Sequence, residues 1–347
     1  MRIAIVTVQV PFVRGGAEMH AEGLRDALLA AGHEADIIAI PFKWYPPALL
    51  PEQVLACRLT DLTESLGRPI DRVIGLKFPA YLTPHPDKVL WILHQHRSAY
   101  DLWDQSYGDL FHLPDGAAGM RFVRAADTRL IPEARRVYAN SQNVARRLKR
   151  FCGIDATPLY HPPPHADRYR SGEHGDYLLM PSRVNEIKRQ GLVVEALFHT
   201  RHPVRVWFTG SADSPAYLEA VQARSRALPP GRVAWLGQVS DERKLELFAH
   251  ALGVLAPPFD EDYGYVALEA MLSGRAVITC ADSGGPTEFI EHGRNGLVCA
   301  PQPEAVAAAM DALWEGRAFA SRLGREGRTR YADMDITWEH AVECLLA

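Results

Sequence analysis

"LGVLAPPFDEDYGYVALEAMLSGRAVITC", residues 252–280, holds an apolar run, an acidic loop with a glycine, a short stretch at helical spacing and a second apolar run. Both apolar runs, 252–257 and 276–280, are continuous instead of alternating, as in strands buried on both faces of a parallel sheet. The alternation extends in both directions. Toward the amino end lie "RIAIVTV" (2–8), "ADIIAI" (35–40), "RVIGL" (72–76), "KVLWIL" (88–93) and "RVYA" (136–139). Between the first two, "AEMHAEGLRDALLAAGH" puts Leu24, Leu28 and Ala31 on one helical face and offers Gly32 as a C-terminal cap. A stretch rich in Pro, His and charge, "YHPPPHADRYRSGEHGD" (160–176), interrupts the pattern, which restarts with "YLLMP" (177–181), "VRVWFTG" (204–210) and "RVAWLG" (232–237) and ends with "GLVCA" (296–300). This predicts two doubly wound α/β domains, 1–164 and 165–334. The last piece, "RTRYADMDITWEHAVECLLA", is expected to be helical, with Trp338, Val342 and Leu345 on one face.

Composition narrows the functional classes. A length of 347 residues suits two domains, and 47% hydrophobic with 23% charged residues excludes disorder. A formal charge of −4 argues against nucleic acid, which demands a basic face. The five cysteines are scattered and show no C-x-x-C spacing, so neither a disulfide frame nor a zinc site is expected. No apolar run approaches the ~20 residues of a membrane span. The opening apolar stretch is short and broken by Pro11 and Arg14, which favours a strand over a signal peptide; the expected location is cytoplasmic. Residues 121–150 hold nine Lys+Arg against two acids. A wet helix face accounts for this cluster; the alternative is peripheral contact with an anionic membrane at its inner face, or with a phosphate-bearing acceptor.

In doubly wound sheets ligands collect at the carboxyl ends of strands, and the polar residues there are the candidates. "VRGGAEMH" (13–20) places Gly16 where a strand turns into a helix, suited to backbone contact with an anion, although the dinucleotide fingerprint is absent. "LHQHR" (93–97) puts His94, His96 and Arg97 past a strand end. "SRVNEIKRQGL" (182–192) brings Arg183 and Lys188 to a helix start, where cations oppose the dipole unless a diphosphate is bound. In 252–280, Glu261 projects from the loop. Val266, Ala267, Ala270 and Met271 form the core face of the helix, with Glu269 on its flank. Carboxylates there accept hydrogen bonds from sugar or ribose hydroxyls, and the N–H groups at Gly264–Tyr265 attract negative charge. "CADSGGPTEFIEHGRNG" (280–296) adds a glycine pair at a strand tip, with Pro286 placed to open a helix.

On these motifs, together with "YANSQNV" (138–144) and "WLGQVSDERKLELFAHA" (235–251), the chain resembles glycosyltransferase family 4 nearly end to end. The resemblance implies the GT-B fold: two facing Rossmann-like domains, an N-terminal acceptor domain (1–164) and a C-terminal nucleotide-sugar domain (165–334), with a last helix (335–347) crossing back to the first. It implies a retaining hexosyltransferase that uses a nucleoside-diphosphate sugar of the GDP-mannose or UDP-glucose type, needs no cofactor or metal, and acts on a saccharide, lipid-linked or small-molecule acceptor. Gly16 would meet the diphosphate through its backbone, and Arg183 and Lys188 would hold it by charge. Glu261 would bind the transferred sugar, Glu269 the ribose, and Gly237, Tyr263, Gly264 and Tyr265 would line the donor. His94 would stand near the reacting end, with His96 as the alternative and Arg97 on the acceptor side. Tyr263 departs from the phenylalanine often found before the motif's glycine. A nucleotide-sugar epimerase or phosphorylase of the same plan, and a non-catalytic sugar-nucleotide-binding protein, are the rival readings.

Overall fold

The computed structural model describes all 347 residues. They form two compact units, Met1–Pro164 with Ile336–Ala347, and His165–Asp335.

The first unit carries strands β1 (Arg2–Gln9), β2 (Glu34–Pro41), a short hairpin of β3 (Glu64–Ser65) and β4 (Arg68–Pro69), then β5 (Arg72–Lys77), β6 (Lys88–His94), β7 (Arg136–Ala139) and β8 (Thr157–Pro158). Its main sheet has the order β2-β1-β5-β6-β7-β8, with all pairings parallel. Helices α1 (Gly16–Ala30), α2 (Leu50–Leu59), α3 (Gly116–Leu130) and α4 (Gln142–Cys152) cover it. The period-two geometry of a strand sends neighbouring residues to opposite faces. Ala4, Val6 and Val8 accordingly enter one core with Leu50, Val54, Val123 and Leu148, while Ile3 and Ile5 enter another with Leu24, Leu28 and Leu345. Because both faces are buried there, the central strands β1, β5 and β6 lack polar alternation, whereas the edge strand β2 exposes Glu34 and Asp36 between partly buried residues. Gly32 follows α1 at φ +83°, the left-handed position that ends a helix.

The second unit contains β9 (Leu178–Pro181), β10 (Val206–Thr209), β11 (Val233–Trp235), β12 (Gly253–Leu255), β13 (Ala276–Cys280) and β14 (Gly296–Cys299). Its order is β11-β10-β9-β12-β13-β14, the doubly wound arrangement in which the winding direction reverses between the first and fourth strands. The helices are α5 (Gln190–His199), α6 (Pro215–Ser225), α7 (Asp241–His250), α8 (Tyr265–Leu272), α9 (Pro286–Phe289), α10 (Pro303–Glu315) and α11 (Arg317–Asp333).

The C-terminal piece is not one helix. α11 stops at Asp333, Asp335 takes φ +49°, and the Thr337 side chain accepts the His340 N–H to start α12 (Trp338–Leu346). The hydroxyl cap and the left-handed residue supply the break that helical spacing alone does not show. α12 then belongs to the first unit. Arg72 donates to the Leu345 carbonyl at 2.8 Å, the Tyr138 hydroxyl to that of Cys344 at 2.9 Å, and Trp338 lies against Gly23, where any Cβ would collide with its ring.

Candidate functional site

In the second unit the reversal of winding falls between β9 and β12, so the loops after these strands converge there, joined by the loop after β13. Backbone bonds lace the three together. Phe259 N–H donates to Ile187 O at 2.7 Å, Asp260 N–H to Asp282 O at 2.9 Å, Glu261 N–H to Ser283 O at 2.9 Å, and Gly285 N–H to Glu261 O at 2.8 Å. Gly264 has φ +102°, and a Cβ on it would stand 2.8 Å from Pro286; a side chain is excluded on both counts. Gly285 packs so closely on the Tyr263 carbonyl that it too admits no Cβ.

The laced loops bring Lys188 and Glu261 together as an ion pair, each side chain about one-fifth exposed. Asn185 helps aim the lysine, since its side chain caps the short turn by accepting the Lys188 N–H at 3.0 Å. Arg183 stands farther out, half exposed, and pairs with Asp213 at 3.0 Å; the Asn185 amide donates to the same carboxylate at 2.7 Å. The cations that sequence reading left opposing a helix dipole therefore have carboxylate partners: Asp213 from the loop after β10, and Glu261.

Glu269 departs from expectation. It is buried, 2% exposed, and not on an open flank. α8 is short and enclosed, with Ala267, Leu268, Ala270 and Met271 all buried and Val266 the more exposed residue. One oxygen of Glu269 accepts from Lys244 Nζ at 2.6 Å, the other is buried, and the Tyr169 hydroxyl interacts with the same carboxylate. A buried carboxylate is costly unless its lone pairs are used, so this carboxylate suits a donor brought by a ligand.

The Tyr263 ring turns inward, 5.6 Å from Phe289 and 5.3 Å from Tyr265, and the residue is buried. Gly237, at φ +65°, is exposed, and its carbonyl accepts from Gly210 N–H at 2.8 Å. Sequence reading missed Lys244, Asp213 and the two-pronged Arg189–Asp282 pair at 2.8 and 2.7 Å that ties the loop after β9 to the loop after β13. Each partner is between 25 and 93 residues away, so no local spacing signals it.

In the first unit Gly16 opens α1, and the preceding Gly15 N–H is taken by the Glu18 carboxylate at 2.7 Å. His94 ends β6, half-buried, with its Nδ1 2.7 Å from the Gln95 carbonyl. His96 is not at an open strand tip. It stacks on Phe78 (centroids 5.7 Å) with Phe42 edge-on, and burial lowers its pKa to about 4. Two residues along an irregular chain rotate the side chain from the strand end into the core. Arg97 is held by Asp101 at 2.6 Å, near Arg147. Of the basic 121–150 stretch, Arg147 is buried against Asp101, whereas Arg121, Arg129, Arg146 and Arg150 are exposed.

Residues 175–316, which contain every candidate of the second unit, match the family model for glycosyl transferases group 1. The chain carries a group 1 glycosyl transferase domain. It is 29% identical over 243 residues to the D-inositol 3-phosphate glycosyltransferase of Nocardia farcinica, an alignment covering 63% of this chain and 53% of that protein. The chain spans about half or less of the length of the curated relatives it first matches. Among solved structures, sucrose-phosphate synthase from Thermosynechococcus elongatus superposes with TM-score 0.78 at 18% identity, covering 99% of this chain and 97% of that one. HepE from Anabaena, in complex with UDP-glucose, gives 0.72 at 16%, covering 99% and 98%. The fold is GT-B, two Rossmann-like units. No group of three or more His, Cys, Asp or Glu side chains is arranged to hold a metal ion, and no helix is long and apolar enough to cross a membrane.

Proposed function

We propose that this protein is a retaining glycosyltransferase that moves a hexose from a nucleoside-diphosphate sugar, of the GDP-mannose or UDP-glucose type, to a saccharide, lipid-linked or small-molecule acceptor. The observation that carries this reading is the Lys188–Glu261 pair at the switch point of the second unit, with Arg183 outside it and the buried Glu269 carboxylate deeper in. A diphosphate has oxygens for Lys188 and Arg183, a hexose has hydroxyls for Glu261, and a ribose hydroxyl can donate to Glu269.

As the bond from the anomeric carbon to the phosphate oxygen breaks, negative charge grows on the leaving diphosphate. Lys188 and Arg183 stand where they can stabilise it, with N–H groups at the start of α8 adding positive potential. A lysine ammonium has three donors, so Lys188 can keep Glu261 and still bind phosphate. The acceptor then attacks from the face the diphosphate leaves, and the departing phosphate oxygen takes its proton. From the first unit the proposal assigns Gly16 to the diphosphate, His94 to the reacting end of the sugar and Arg97 to the acceptor side. His96, partly buried with its ring stacked on Phe78, stays the alternative to His94. No cofactor is called for.

UDP and GDP titrated calorimetrically, followed by slow hydrolysis of UDP-glucose and GDP-mannose, tests this. One nucleotide is expected to bind and its sugar to be cleaved. Absence of binding by both, with no cleavage of either, refutes the reading.

A further inference from the structure

The first unit buries a carboxylate that the proposed chemistry does not use. Asp127, on α3, is 0% exposed. The Tyr81 hydroxyl lies 3.0 Å from both its oxygens, the Tyr100 hydroxyl donates to Oδ2 at 2.8 Å, and Gln95 Nε2 donates to the same oxygen at 3.2 Å. These donors come from three segments: the turn after β5, the turn at 97–99 and the residue directly after β6.

Gln95 is the informative member. Its side chain is buried and anchored by Asp127, with Cys152 Sγ 3.2 Å from the same amide nitrogen. Its main-chain carbonyl takes the bond from His94 Nδ1 at 2.7 Å. A carbonyl only accepts, so this bond places the His94 proton on Nδ1 and leaves Nε2 the acceptor in the neutral ring. On the far side His96 is packed between Phe78 and Phe42. The Gln95 peptide is thus held on one flank by Asp127 and on the other by the aromatic stack.

We propose that Asp127 is a positioning residue which, through Gln95, fixes the orientation and tautomer of His94. The inference rests on the reading of His94 as the residue at the reacting end of the sugar. Groups that orient a functional imidazole from behind commonly matter by ten- to hundred-fold in metal sites, and the same physics applies here. Burial pushes the Asp127 carboxyl up to about 7 against the bonds from Tyr100, Gln95 and Tyr81. The charged or titratable groups around it are those two tyrosines, Cys152 and Arg124, whose guanidinium lies over the Tyr100 ring.

The test compares Asp127→Asn, Tyr81→Phe and His94→Ala in the full-length protein. Asp127→Asn keeps the volume but turns an amide toward three donors. It is expected to lower kcat roughly ten- to hundred-fold with the donor KM unchanged, and to give His94 a mixed tautomer signature in nitrogen-15 NMR. Tyr81→Phe, which leaves the Gln95 bond in place, is expected to change kcat less than threefold. Asp127→Asn added to His94→Ala should lower kcat no further. A wild-type His94 signature in folded Asp127→Asn, or losses that multiply in the double variant, overturns the inference. If His94→Ala alone keeps full activity, the role of His94 in the proposed function fails, while the NMR comparison still decides whether Asp127 controls the ring.

Discussion

The strand ends of the two units solve different problems with similar polypeptide. In the second unit they gather opposite charges at partial exposure: Lys188 with Glu261, Arg183 with Asp213, Arg189 with Asp282. The first unit buries neutral polar groups among aromatics: His96, past the end of β6, on Phe78, and His20 of α1, whose Nδ1 lies 2.9 Å from His161 Nε2 beside Trp91 and Trp338. Ion pairs that keep contact with water exchange partners at less cost than fully buried ones, which suits a site that must admit a charged ligand. Buried neutral pairs hold one arrangement, because losing a partner leaves a polar atom with no water to turn to.

The largest expected effect breaks the first half of that contrast. Lys188→Ala should lower transfer by about 10²–10³ in kcat/KM while thermal stability stays near wild type, since only a partly exposed pair is lost. An equally large loss of stability would mean the pair is structural. Next, Gly264→Ala forces a side chain to φ +102° and against Pro286, at a cost of about 1–3 kcal/mol measured by urea denaturation. A neutral result would show that the loop lacing is loose.

The buried half is probed by pH. Burial lowers the His20 pKa to about 3 and that of His161 well below 6.5. Both are depressed below the unfolded value of 6.5, so the unfolded chain binds more protons in between. The stability they confer is complete above pH 6.5 and falls below it, by up to about 1.4 kcal/mol per pH unit for each ring. Asp127, raised to about 7, works the other way: its contribution is lost as pH rises from the unfolded carboxyl value toward 7. A His20→Leu/His161→Leu variant should therefore lose less stability than wild type on acidification from pH 6.5; an unchanged slope would contradict the assignment. The smallest effect belongs to Arg183→Ala, whose half-exposed pair with Asp213 should leave stability within about 1 kcal/mol while weakening nucleotide binding.

The contrast also explains what could be read from the chain. Continuous apolar runs gave away every sheet strand of the second unit, because burial on both faces leaves no polar residue to blur them. Glu261, Gly264 and Glu269 lie within nine residues of chain, so local spacing carried them, and Gly285 stood out as part of a glycine pair after the next strand. Pairing across space did not show. Lys244 reaches Glu269 from another helix, and His20 meets His161 across 141 residues. The spacing of "LHQHR" could not say which ring faces outward, since the chain leaves regular strand geometry at His94. Nor did helical periodicity reveal that the Glu269 flank of α8 is covered as well as its core face, which is what turned Glu269 into a buried residue.

The central claim is that the charged loops of the second unit hold a nucleoside diphosphate. Calorimetric titration of UDP and GDP into the wild-type protein and the Lys188→Ala variant addresses it directly. The account predicts saturable binding of one of them to wild type and at least tenfold weaker binding to a variant that melts at the same temperature. Equal affinity in both proteins, or no heat from either nucleotide with wild type, would contradict it.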